Sequence, residues 1–348
     1  MAVTTDSTPV LLRAARREPV ERTPVWFMRQ AGRYMPEYRK LRERCTLLEI
    51  CAEPELACEV TLQPVRAFEV DAAILFADIL LPLVPMGLDL RFATGEGPVI
   101  GNPVRSPESV ARLRDVSVEN DLGYVLEAVR LIRRALPPTV PLLGFAGAPF
   151  TVACYAIEGG ASRRFTETKK LMYSSPAAWR SLMDRLTDVI AAYLEAQVAA
   201  GAQAIQLFDT WVGELTAEEY RRHVQPFSRR IFERLAPLAV PTIHFGVNTA
   251  HLLEELRDAG GDVIGLDWRV PLDAAWNRVG HDRGIQGNLD PAALFAPPSD
   301  LTRMTRDVLW RAAGRPGHIF NLGHGIQPST PMDAVRLVVD RVHEHGVG

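Results

Sequence analysis

"AIQLFD", residues 204–209, is a short apolar run closed by a carboxylate. Directly before it, "SSPAAWRSLMDRLTDVIAAYLEAQVAAGA" (174–202) reads as an amphipathic helix. Ser and Pro open that helix and Gly201 suits its C-cap. A run so short and so apolar beside a helix reads as a strand buried on both faces. The pattern recurs along the chain: "PVWFM" (24–28), "AAILFA" (72–77), "PLLGFAG" (141–147), "PTIHFG" (241–246), "DVIGLDW" (262–268), "GIQGNLD" (284–290) and "HIFNLGHG" (318–325). Eight such strands alternating with helices predict an α/β chain folded as a single (β/α)8 barrel.

The intervening helices carry their own punctuation. "TAEEYRRHVQPFSRRIFERLAP" (216–237) opens with a capping box, Thr216 to Glu219. "STPMDAVRLVVDRVHEHG" (329–346) opens on Ser-Thr-Pro and ends on Gly346. About 65 residues separate the second and third runs, far more than one crossover needs. Within them "LDLRFATGEGPVIGNPV" (88–104) reads as a β-hairpin with a Gly-rich turn. The expectation is one domain over 11–345, with a β-hairpin/helix insertion between strands 2 and 3. Residues 1–10 are expected to form a flexible N-terminus. An open doubly wound sheet is the alternative, but no Gly-rich dinucleotide fingerprint follows an early strand.

Length and composition fit a large single-core globular domain: 348 residues, 47% hydrophobic. The net charge of −3 provides no basic field for nucleic acid. Lysine occurs only at Lys40, Lys169 and Lys170, so arginine dominates. That bias fits GC-rich codon usage at least as well as carboxylate recognition. Cys45, Cys51, Cys58 and Cys154 form no Cys-x-x-Cys pair and read as reduced thiols of a cytoplasmic protein. The first residues lack the apolar core of a signal peptide, and no run reaches the ~20 apolar residues of a membrane span.

A barrel of this type gathers its site at the C-terminal strand ends. Arg29 and Arg33 follow the first run and Asp78 the second. Tyr155 lies just beyond the third, Asp209 and Thr210 close the fourth, and His244 and Asn248 flank the fifth. Asp267 follows the sixth, Asn288 and Asp290 the seventh, and His324 the eighth. Each also has a plain structural reading. Arg29 and Arg33, at i and i+4, would suit a solvated helix face, although Gly32 disfavours a helix interior. Asp78, inside "ILFADILLPL" (74–83), costs free energy unless it binds something or caps the next turn. Tyr155 could be core, Asp209 could orient a loop, and His324 between glycines could be a turn residue.

Several chemistries find no support. No Lys sits at a strand end for a Schiff base. There is no Gly-x-Ser-x-Gly elbow and no His-Glu-x-x-His. "TIHFGVN" (242–248) places one His without a Cys partner for zinc. Two arginines, one isolated carboxylate, a Tyr, a Thr and a His suit a polycarboxylate substrate and chemistry without a cofactor.

At these same positions the chain resembles a known family. "WFMRQAGRYMPEYR" (26–39), "ILFADIL" (74–80), "GFAGAPFTVACYAIEGG" (144–160), "QLFDTWVG" (206–213) and "FNLGHGI" (320–326) closely resemble the uroporphyrinogen decarboxylases. The resemblance runs from about Leu11 to Glu344 and keeps the motif order. It implies a (β/α)8 homodimer, without metal or organic cofactor, in haem biosynthesis. The implied reaction removes four acetate carboxyls from uroporphyrinogen III, giving coproporphyrinogen III and CO2. It also implies that Arg29, Gln30, Ala31, Gly32 and Arg33 bind substrate and that Asp78 is the essential carboxylate. Tyr155, Thr210 and His324 become further pocket contacts, and Arg29 a candidate catalytic group by position. Thr210 stands where many members have Ser, and Cys154 where Thr is common. The rivals are a zinc-dependent corrinoid or thiol methyltransferase of the same superfamily and a non-catalytic tetrapyrrole-binding protein. The first wants a His-x-Cys pattern where this chain reads "IHFGV" (243–247). The second would not need Asp78.

Overall fold

The computed structural model of the protein describes residues 8–93, 97–160 and 162–345. Its strands are β1 (Ala73–Ile74), β2 (Leu90–Ala93), β3 (Gly97–Ile100), β4 (Leu142–Gly147), β5 (Ala204–Asp209), β6 (Thr242–Gly246), β7 (Val263–Gly265), β8 (Gly284–Gln286) and β9 (His318–Ile319). β1 and β4–β9 form one parallel sheet in the order β1-β4-β5-β6-β7-β8-β9, with helices between successive strands. The run at 24–28 is the eighth stave and closes the cylinder. On one side Phe320 N–H donates to Pro24 O at 2.8 Å; on the other Asp71 N–H donates to Val25 O at 2.8 Å. Only a single bridge forms because the Asp71 carboxylate, not a neighbouring carbonyl, takes the Val25 N–H, at 2.9 Å.

Side-chain alternation gives each stave two faces. On β5, Ile205 and Leu207 face the helices, while Gln206 and Phe208 face the lumen. Trp26 Nε1, Gln286 and Gln206 form a hydrogen-bonded line across the interior, 3.0 Å at each step. Nearer the C-terminal strand ends, Phe145, Phe208 and Phe245 pack edge to face at 5.5 and 5.9 Å.

The helix expected over 174–202 spans Pro176–Ala200 and ends on Gly201 at φ +126°. The Thr216–Glu219 capping box forms as expected. The helix expected to run on from it is instead two, Ala217–His223 and Gln225–Leu235. Pro226 lacks the N–H that would continue the first helix's ladder. The β2–β3 hairpin pairs antiparallel, within the 63-residue stretch between the second and third apolar runs; its turn at 94–96 lies outside the described residues. This insertion docks on the helix Pro149–Glu158: Ile100 N–H donates to Gly159 O and Val104 N–H to Ala156 O, both at 2.8 Å. At the N-terminus, residues 1–7 lie outside the described residues, and a helix already begins at Val10. Gly346 also lies outside them. All four cysteines are free; Cys51 and Cys154 are buried, and Cys45 sits in a loop. Among the described residues no helix is long and apolar enough to cross a membrane.

Candidate active site

The C-terminal mouth is built from the segments that follow the staves. After the first stave the chain turns sharply at Arg29, whose φ of +59° is left-handed. Gln30 holds this turn from below. Its Oε1 accepts the Phe27 N–H and its Nε2 donates to Ala72 O, each at 3.0 Å. Tyr34 adds a hydroxyl bond to Gln30 O at 2.6 Å. With both amide ends bonded to backbone, the buried Gln30 side chain shapes the loop, and Ala31 and Gly32 continue it. The helix reading of the arginine pair does not hold: residues 28–35 form turns, and the next helix starts at Pro36. Both Arg29 and Arg33 are exposed, and neither has an ion pair among the described residues.

The Arg29 stem lies on the turn after β9. A Cβ on Gly325 would sit 2.7 Å from Arg29 Cγ, so this glycine is what lets the side chain cross the mouth. From there its guanidinium influences Asp78, Tyr155 and His324 together. Asp78 follows β1. One oxygen accepts the Leu80 N–H at 2.9 Å, so it does cap the next turn. It has no salt bridge among the described residues, and part of its surface stays open to the mouth. Burial raises its pKa to about 6, partly offset by the Leu80 N–H and Arg29. Burial and the nearby Asp78 charge hold the Tyr155 phenol at about 12, so it remains a hydroxyl. Its ring packs on Trp211 at 5.8 Å, beside half-buried Thr210. His324 Nδ1 accepts the Gly325 N–H at 2.7 Å, which leaves the imidazole proton on Nε2. Burial first, then Arg29 and Arg269, lower its pKa to about 4. His324 is therefore a neutral donor at pH 7.

Of the other strand-end candidates, Asp267 stands close enough to act on His324, whereas Asp209, His244, Asn248, Asn288 and Asp290 are engaged elsewhere. Asp209 lies on the helix-facing side of β5, where it accepts from Thr151 Oγ1 at 3.2 Å and lies 3.7 Å from His244 Nε2. His244 packs under Phe232, away from the lumen. Asp290 caps the turn Pro291–Phe295, and Asn288 Nδ2 ties the Asp267 and Val270 carbonyls at 2.7 Å. Asn248 donates its backbone N–H to Asp267. Strand-end position alone does not separate Asp209 and His244 from the mouth group; the alternation along β5 and β6 does. The Phe145–Phe208–Phe245 platform is a further feature of the lumen, and period 2 along β4–β6 places all three rings inward. Among the described residues, no group of three or more His, Cys, Asp or Glu side chains is placed to hold a metal ion.

The family model for uroporphyrinogen decarboxylase (URO-D) matches residues 6–345. The chain belongs to the uroporphyrinogen decarboxylase family. A uroporphyrinogen decarboxylase of Sorangium cellulosum (strain So ce56) is 62% identical over 332 residues, covering 95% of both chains. One from Carboxydothermus hydrogenoformans is 55% identical over 333 residues, covering 96% of this chain and 95% of its own. Among solved structures, a methyltransferase from Methanosarcina mazei superposes with a TM-score of 0.76 at 21% identity, covering 96% of this chain and 97% of its own. That likeness concerns the barrel alone.

Proposed function

We propose that this protein decarboxylates the four acetate arms of uroporphyrinogen III, giving coproporphyrinogen III in haem biosynthesis, without metal or organic cofactor. The observation that carries the reading is Asp78: a half-buried carboxylate at the mouth, near Arg29, with neither of the two in an ion pair among the described residues. The substrate is a ring of pyrroles with inward N–H donors and carboxylates on its rim. Asp78 offers acceptor oxygens to that centre. Arg29 and Arg33 offer planar forks to the rim. Phe145, Phe208 and Phe245 offer an apolar platform below, and Nε2–H of His324, Tyr155 and Thr210 offer further polar contacts.

In this reading a proton adds to a pyrrole carbon and the ring becomes cationic. The acetate C–C bond breaks, its electron pair neutralises the ring, and CO2 leaves. A second proton converts the exocyclic carbon to methyl while the ring proton departs, so one proton is consumed per CO2. Asp78 stabilises the cation electrostatically, from a half-buried position. Arg29 binds and orients the reacting arm; its guanidinium seldom gives up a proton.

Anaerobic incubation with reduced uroporphyrinogen, in chelator and in the dark, tests this. Chromatography should show hepta-, hexa-, penta- and tetracarboxylate products in succession. Absence of these products, or activity abolished by chelator, overturns the reading. On the family resemblance we also take the protein as a cytoplasmic homodimer, which sedimentation equilibrium tests.

A further inference from the structure

A third arginine stands at the mouth. Arg269 lies in the turn after β7, two residues past Asp267. Its backbone N–H donates to Asp267 Oδ1 at 2.8 Å and its Nη1 to Oδ2 at 2.9 Å. Its Cζ lies 4.0 Å from the Trp268 ring centroid. The guanidinium is thus fixed from two directions, yet 44% of the side chain remains exposed. Nε and Nη2 carry no hydrogen bond among the described residues. Neutralising Asp267 does not by itself explain this geometry. That carboxylate, 2% exposed, already accepts two backbone N–H groups, from Asn248 and Arg269. What the stacking adds is a guanidinium held in one orientation, which lowers the entropy lost when it grips a planar anion.

Its place in the barrel matters too. A Cβ on Gly323 would sit 3.0 Å from Trp268 Cα, so the loop carrying His324 rests on the Trp268–Arg269 turn. Arg269 and Arg29 both act on the His324 imidazole, so Arg269 stands at the same mouth as Arg29, but on the β7 side. Strands β8 and β9 separate β7 from the first stave, after which Arg29 and Arg33 lie. A substrate with carboxylates all round its rim calls for cations spaced round the mouth; two on one loop reach one side only.

We infer that Arg269 is a specificity-determining residue that binds a carboxylate arm of the substrate on the β7 side of the mouth. This rests on the decarboxylase reading above. The contact is ground-state binding remote from the reacting carbon, so its loss acts on KM and leaves kcat nearly untouched. With uroporphyrinogen as the probe, Arg269→Ala should raise KM about tenfold and change kcat by less than about twofold. Arg269→Lys, which keeps charge but not the fork, should fall between. The gap between wild type and Arg269→Ala should narrow as salt rises, because screening removes what the mutation removes.

An active wild type with unchanged KM in Arg269→Ala overturns the inference alone. So does a loss in both variants that tracks a fall in thermal midpoint and ignores salt, which marks a purely structural clamp. A wild type that releases no CO2 overturns the decarboxylase reading and this inference with it.

Discussion

Two carboxylates sit at opposite ends of one stave. Asp71 lies just before β1 and Asp78 just after it, and they live in different worlds. Asp71 is 4% exposed and fully engaged: it accepts from Val25 N–H at 2.9 Å, from Arg22, and from His343 Nε2 at 2.8 Å. Those bonds seal the seam between the first stave and β1 and tie in the last helix. Asp78 has one backbone N–H and the distant influence of Arg29. The same side chain, a few residues apart, closes a barrel at its foot and leaves acceptor capacity open at its mouth. The lesson is that a buried carboxylate's role is read from what already occupies its lone pairs, not from its burial.

The largest effect that separates the two ends is Asp78→Asn. Its kcat/KM should fall at least about 100-fold, on the order of 3 kcal/mol, because Asn offers no charge to the cationic ring. The fold should survive, since Asn Oδ1 still accepts from Leu80. A variant with full turnover would take Asp78 out of the chemistry. Asp71→Asn should show the reverse. Removing the charge leaves Arg22 and His343 without their anion and turns an amide N–H toward them, costing about 2 kcal/mol in a urea titration. Turnover per folded molecule should stay within about twofold; a large kcat loss without destabilisation would erase the contrast.

Gly325→Ala probes the mouth without touching a charge. The added methyl collides with the Arg29 stem, so kcat/KM should drop about tenfold, roughly 1.4 kcal/mol, with little change in melting. Unchanged kinetics would mean that Arg29 reaches its target from another rotamer.

The pH dependence is the sharpest contrast. Asp78 has a folded-state pKa of about 6, above its ordinary value of 3.8, so protonation favours the folded chain. Its stabilising contribution is full below the ordinary value and is lost as pH rises through about 6. Asp78→Asn should therefore match wild type near pH 4 and exceed it above pH 7, by on the order of 1–2 kcal/mol. The same group should give kcat/KM an acid limb near pH 6, absent in the variant. His324, with a pKa of about 4, does not titrate in that window. A midpoint difference independent of pH would show that Asp78 is as well solvated as a surface carboxylate.

The eight apolar runs were legible because doubly buried strands leave no polar alternation, and the capping box at Thr216 because its two bonds are local. The break before Pro226 was written in the chain too, but amphipathic periodicity continues across it and masks it. The mouth residues Arg29, Asp78, Tyr155, Thr210 and His324 were legible through motif resemblance. Asp209 and His244 looked equivalent to them, since adjacent positions on a strand share an end and differ only in face. Arg269 gave no signal, because its clamp by Asp267 and Trp268 reads as an ordinary local turn, and only the packing of the loop after β9 on that turn brings it to the mouth.

Sequence by itself thus determined the alternation of buried strands and helices, the family and the short list of ionisable groups. Short-range chemistry sets those: hydrophobic period, caps, and residue types in order. Only the tertiary structure decided which carboxylate is satisfied and which is open. That depends on partners such as Arg22, Val25 and His343, brought together across the barrel seam by closure of the cylinder, and no local pattern encodes that meeting.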